Sequence, residues 1–176
     1  MKSLSEYITE KAGNILGKGA EGTVYELPDN KIKKVFKSGK VPLQYQLLYQ
    51  ASKFADIQCL PKIYEIGSDF IVRDNLKFGT QKCKKYYETS QKSPWSNQDS
   101  CMRLVLDGHY WYDPDKDCVN TNIRGIIRGI YSEVIDWLAR LKYELSQVAG
   151  ERAGLGDFAL KNLAETSDGK VVLADL

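Results

Sequence analysis

Histidine is almost missing from this chain. His109 is the only one, and the four cysteines (Cys59, Cys83, Cys101 and Cys118) form no C-x-x-C pair. That scarcity argues against a zinc site, which needs several such ligands at close spacing. Long apolar runs are missing too, and nothing at the start reads as a signal peptide. The expectation is a cytoplasmic protein with no membrane partner, in a reducing compartment, with a disulfide among the cysteines left open. Charge of one sign is also lacking. A net charge of +2 is too small for general attraction to nucleic acid or to a membrane surface. Lysines cluster at Lys31 to Lys40 and at Lys82 to Lys85, and their plain reading is a solvated strand edge and a solvated loop. What the 176 residues do contain is 43% hydrophobic side chains, enough to bury one core of ordinary size.

The most informative stretch is Leu16-Gly17-Lys18-Gly19-Ala20-Glu21-Gly22-Thr23-Val24-Tyr25. Three glycines at G-x-G-x-x-G spacing let backbone approach an anion closely, because glycine has no Cβ. The free N–H groups of such a loop can point at phosphate oxygens. The context then discriminates. A dinucleotide-binding unit needs a helix directly after the glycines. Here Val24 to Leu27 run into Pro28-Asp29-Asn30, which is turn chemistry, and then into Lys31 to Phe36. Both flanking segments are rich in β-branched and aromatic residues, so the loop belongs to antiparallel strands. No Gly-Lys-Ser/Thr follows, which excludes a P-loop.

A glycine hairpin followed by a lysine-bearing strand resembles the protein-kinase arrangement, and that resemblance implies two further motifs downstream: Asp-x-x-x-x-Asn and a later metal-binding Asp. The tail supplies Asp157-Phe158-Ala159-Leu160-Lys161-Asn162, an Asp168-Gly169 turn, and Val171 to Asp175. With these three motifs the chain resembles the protein-kinase-like superfamily, in the style of compact phage and bacterial serine/threonine kinases and aminoglycoside phosphotransferases. The resemblance covers nearly the whole chain. It implies an α+β fold, with a small antiparallel sheet and one helix in an N-lobe over 1–75 and a truncated, mainly helical C-lobe over 76–176.

The resemblance also implies site roles. Gly17, Gly19 and Gly22 would cradle the phosphates of ATP, and Val24 would pack on the adenine. Strand alternation puts Ile32, Lys34 and Phe36 on one face and Lys33, Val35 and Lys37 on the other. Lys34 is assigned to the phosphates, with Lys33 as runner-up. Asp157 would take the acceptor's proton, and Asn162 and Asp175 would hold Mg²⁺. The sequence departs from the family in three ways. The helix expected over Pro42 to Phe54 has no acidic residue to pair with Lys34, leaving Gln46 or Gln50. Leu155-Gly156 precede the catalytic Asp. The chain stops one residue after Asp175, without the activation segment or the large-lobe helices.

The rest of the chain is expected as follows. Lys2 to Ala12 form a short helix, and Leu60 to Gly67 with Asp69 to Arg73 form a strand pair. Lys77 to Ser100 form a long loop whose aromatics Tyr86, Tyr87 and Trp95 anchor it to the body, the alternative being that they mark a partner surface. Met102 to Tyr112 form a strand or hairpin. Asn122 to Ile130 and Tyr131 to Val148 are helices, with Ser132 as a cap and Gly150 and Gly154 ending the second. The function expected is Mg-ATP-dependent phosphotransfer, to a protein substrate before a small molecule. The alternative is a pseudokinase-like effector that binds a protein partner. A missing lobe would expose apolar surface that a homodimer covers.

Overall fold

The computed structural model describes residues 13–53, 56–95, 99–149 and 158–174. The expected N-terminal helix, Gly150, Gly154, Asp157 and Asp175 lie outside the described residues. The chain is α+β and divides into two units, Met1–Asp56 with Pro61–Asn75, and Ile57–Leu60 with Leu76–Leu176.

The first unit is a five-stranded antiparallel sheet in the order β1-β2-β3-β5-β4. Its strands are β1 (Ile15–Lys18), β2 (Gly22–Leu27), β3 (Lys31–Phe36), β4 (Ile63–Ile66) and β5 (Phe70–Asp74). The β2–β3 turn forms where Pro28-Asp29-Asn30 allows it: Asp29 and Asn30 take φ of 59° and 54°, a left-handed region that these residue types tolerate. Helix α1 (Leu43–Ala51) packs on β4. Pro42 precedes it without a side-chain cap. Its buried residues are Tyr45 and Leu48, whereas Leu43 and Leu47 are exposed. Ile32, Phe36, Leu48, Ile63 and Ile71 form the core, each worth about 1.5–3 kcal/mol of burial.

The second unit is built on the long helix α4 (Ile130–Ala149). Val134, Ile135, Leu138, Leu141, Leu145 and Val148 are all buried on it, at the spacing of one helical face. Helix α2 (Gln81–Ser90), helix α3 (Cys101–Leu106) and the hairpin β7 (Tyr110–Asp113) to β8 (Cys118–Thr121) pack against α4. A small sheet in the order β10-β9-β6 joins β10 (Val171–Leu173), β9 (Leu163–Glu165) and β6 (Lys77–Phe78).

Four expectations are corrected here. Residues 77–100 are not a loop: Thr80 caps α2 by accepting from the Cys83 N–H at 3.2 Å, which starts a helix in a polar sequence. Lys82 to Lys85 therefore ride on a helix. Residues 101–106 are helical rather than extended, because the Ser100 hydroxyl accepts from the Arg103 N–H at 3.3 Å. The stretch before α4 is not helical, since Gly125 and Gly129 sit at φ of 150° and 64°. Ser132 lies inside the first turn of α4 instead of capping it. The expected aromatic anchoring is present. Tyr86 is buried edge-on to Trp137, and Tyr87 stacks on Phe158 at 5.8 Å.

Glu144 is a charged residue on the apolar face of α4, 1% exposed. Its carboxylate accepts from the backbone N–H of Gln58 and of Cys59, each at 2.8 Å, and from Arg140 Nε at 3.0 Å. Burial pushes its carboxyl above the usual range, against the pull of those two amides and of Arg140. The segment Ile57–Leu60 is thereby fastened to α4, and Leu173 N–H donates to Cys59 O at 2.9 Å from the other side.

Candidate functional site

The glycine loop connects β1 to β2, as the turn chemistry requires. Gly19 N–H donates to Gly22 O at 2.9 Å and closes the loop. The three glycines do different work. A Cβ on Gly22 would stand 2.1 Å from the Val35 carbonyl oxygen, so glycine is needed there for strand packing. Around Gly17 and Gly19 a Cβ would meet nothing within 4 Å. Their backbone borders open space, which is what close approach of an anion requires.

Val24 pairs with Lys34 across β2–β3, and Lys34 pairs with Ile71 on β5. Residues directly opposite one another share a face of the sheet. Val24, Lys34 and the fully buried Ile71 therefore line one side. Tyr45 of α1 meets the same side, since its ring lies 5.6 Å from that of Phe36 and 5.6 Å from Lys34 Nζ.

Lys34 makes no hydrogen bond to α1. Gln46 Nε2 donates instead to Val41 O at 2.8 Å, and Gln50 is exposed. The partner of Lys34 is Glu21 of the glycine loop, whose Oε2 accepts from Nζ at 2.6 Å. The Lys34 side chain is 13% exposed and that of Glu21 is 67% exposed. The hydrogen bond from Lys34, and then its charge, hold the Glu21 carboxyl below its usual value of 4.5. Glu21 is the site residue that reading the sequence missed. The signal was available: a carboxylate inside a loop whose backbone suits anions needs a cation nearby.

Lys33 lies on the opposite face, 7% exposed, with its Nζ 4.0 Å from the centre of the Phe70 ring. Burial holds its ammonium below the usual lysine range, against Asp69 and Glu65. The two lysines thus occupy different environments: one is packed under an aromatic ring, the other reaches the loop.

In the second unit Asn162 ends the 3-10 turn Leu160–Asn162 and is 9% exposed. Its N–H donates to Ala159 O at 2.9 Å, and its carbonyl accepts from Ala174 N–H at 2.7 Å. Ala174, the residue before Asp175, is therefore bonded to Asn162. No group of three or more His, Cys, Asp or Glu that could hold a metal occurs among the described residues. Among those residues, no helix is long and apolar enough to cross a membrane.

The four cysteines are free thiols. Burial pushes the Cys101 thiol up to about 11 and the Cys59 thiol further, so neither is a ready thiolate nucleophile. His109 Nδ1 lies 3.2 Å from Asn122 Oδ1, a contact that ties the start of the β7–β8 hairpin to the residue after its end.

Set against family models, curated proteins and solved structures, the chain finds no match in any of the three.

Proposed function

We propose that this chain is a Mg-ATP-dependent phosphotransferase of the protein-kinase-like type, acting on a serine or threonine hydroxyl. One observation carries the reading: Lys34 reaches into the glycine loop and holds an anionic group there at 2.6 Å. The carboxylate of Glu21 stands where a phosphate oxygen would compete for the same ammonium. Open space beside Gly17 and Gly19 gives that phosphate room to approach backbone N–H groups. Val24, on the same face, offers an apolar plate for a nucleotide base.

In this mechanism Lys34 fixes the phosphates for in-line attack. Asp157 orients the acceptor hydroxyl and accepts its proton as the oxygen bonds to the γ-phosphorus and ADP leaves. Asn162 and Asp175 supply hard oxygen donors, which suit Mg²⁺. The bond between Ala174 and Asn162 supports pairing these two residues. Bound Mg²⁺ would neutralise charge on the transferring phosphoryl group.

The test is transfer of labelled phosphate from ATP by wild type, Lys34→Ala and Asp157→Ala. Transfer that both variants lose supports the proposal. No transfer by wild type to itself or to generic protein acceptors, with no ATP binding by calorimetry, refutes it.

A second reading, a pseudokinase-like effector, is favoured by one specific observation. Helix α1 offers no acidic partner to Lys34, and a loop residue has taken that place. A protein partner captured equally by wild type and Lys34→Ala, in the absence of phosphotransfer, would select it.

A further inference from the structure

A cavity of about 260 Å³ lies in the second unit, away from every residue assigned above. Tyr110, Ile126, Ile127, Ser132, Ile135 and Asp136 line it. It is smaller than the roughly 300–1,000 Å³ of drug-sized sites. Two polar side chains on its wall, the half-buried Ser132 and the exposed Asp136, are open to solvent. The Tyr110 hydroxyl is buried with no hydrogen-bond partner, on a residue only 6% exposed. Buried polar atoms are otherwise almost always paired. Among the described residues neither the Ser132 hydroxyl nor the Asp136 carboxylate has a side-chain partner. Ser132 and Asp136 stand four residues apart on α4 and so share one face.

The rest of the lining is apolar or already committed. Ile126 is 74% exposed. Thr121, also on the wall, spends its hydroxyl on His109 O at 2.9 Å and on the Ile123 N–H at 3.0 Å. No basic residue lines the cavity. Arg124 and Arg128 flank the Gly125 to Ile127 segment in sequence but are exposed and outside the lining. Asp136 therefore sets the charge of the wall.

We propose that this cavity binds a compact organic amine, with its ammonium group on Asp136 and its apolar body against Ile126, Ile127 and Ile135. Ser132 accepts a second N–H. The apolar walls select against small inorganic cations. The carboxylate selects against acids, and a neutral isostere of the amine forgoes the charge-assisted bond. The site is independent of the phosphotransfer reading and stands whether or not the chain binds ATP.

The experiment is methyl-detected NMR on isoleucine-labelled full-length protein, titrated with benzylamine, benzyl alcohol and benzoate. Benzylamine is expected to shift the Ile126, Ile127 and Ile135 methyl signals saturably, and benzyl alcohol to bind about ten-fold more weakly. Asp136→Asn, at an exposed position, is expected to keep the dispersed spectrum and to lose that ten-fold preference. Absence of saturable shifts with benzylamine overturns the proposal. So does equal or tighter binding of benzyl alcohol or benzoate, a comparison that needs only the wild type. An unchanged preference in a folded Asp136→Asn overturns it as well.

Discussion

Replacing Glu21 by glutamine should tighten ATP binding. The reasoning follows from the 2.6 Å ion pair between Glu21 and Lys34. A nucleotide phosphate that uses Lys34 must first displace that carboxylate. Glu21 is 67% exposed, so solvent screens the pair and its worth is about 0.4–1 kcal/mol. Removing the competing charge should therefore raise ATP affinity by about two- to five-fold. The same loss should lower the melting temperature by no more than about 3 °C. Calorimetric titration of ATP, paired with thermal melts, reads both effects. The pH dependence has a fixed sign. Because Lys34 depresses the Glu21 carboxyl, the stability from the pair is complete above the unfolded value of 4.5 and is lost as pH falls through the lower folded value. The stability gap between wild type and Glu21→Gln should be full at pH 7 and close below about pH 4.5. An ATP affinity that falls ten-fold in Glu21→Gln would refute the competition argument, because Glu21 would then be helping to hold the nucleotide.

The glycine loop should separate stability from binding. Gly22→Ala forces a Cβ against the Val35 carbonyl and should cost about 1–3 kcal/mol in denaturant unfolding. Gly19→Ala meets open space, so it should leave stability within about 0.5 kcal/mol while weakening ATP binding in the same calorimetric assay. Glu144→Ala removes the acceptor of the Gln58 and Cys59 amides and one partner of Arg140. It should cost about 3–5 kcal/mol, seen as a fall of roughly 10 °C in melting temperature.

The sheet of the first unit was legible because its signals are local. Pro28-Asp29-Asn30 specifies a turn, and alternating β-branched residues specify the strands around it. The long helix α4 was legible because six buried aliphatic residues repeat at helical spacing. The helices at 81–90 and 101–106 were not, because Thr80 and Ser100 start them by capping, the first in a polar sequence and the second in an apolar run of only six residues that reads equally as a strand. The stretch 122–129 misled in the opposite direction: its three isoleucines suggest a helix, but Gly125 and Gly129 adopt positive φ. At the candidate site the spacing of the three glycines and the placing of Lys33 and Lys34 on opposite faces could be read from the sequence. That Glu21 needs a cation could also be read from its place in the loop, but not which lysine supplies it, because the pair joins residues thirteen apart through a loop whose shape the sequence does not state. Glu144 could have been found. It falls three residues after Leu141 and four before Val148, and a carboxylate at that register must be buried and paired.

The fastening of Ile57–Leu60 to α4 sets an order on synthesis. The strands and helix of the first unit are contained in residues up to Asp74, so its sheet has everything it needs before α4 has been translated. The second unit has received Cys59 by then but must wait for Glu144, eighty-five residues later, and for Leu173, whose amide bonds back to Cys59. During that interval the Gln58 and Cys59 amides have no native acceptor on α4, and the apolar side chain of Leu60, 2% exposed at the end, is without its native cover. Contacts of such sequence separation are slow to form. A chain caught in this interval is the species most exposed to aggregation as it leaves the ribosome.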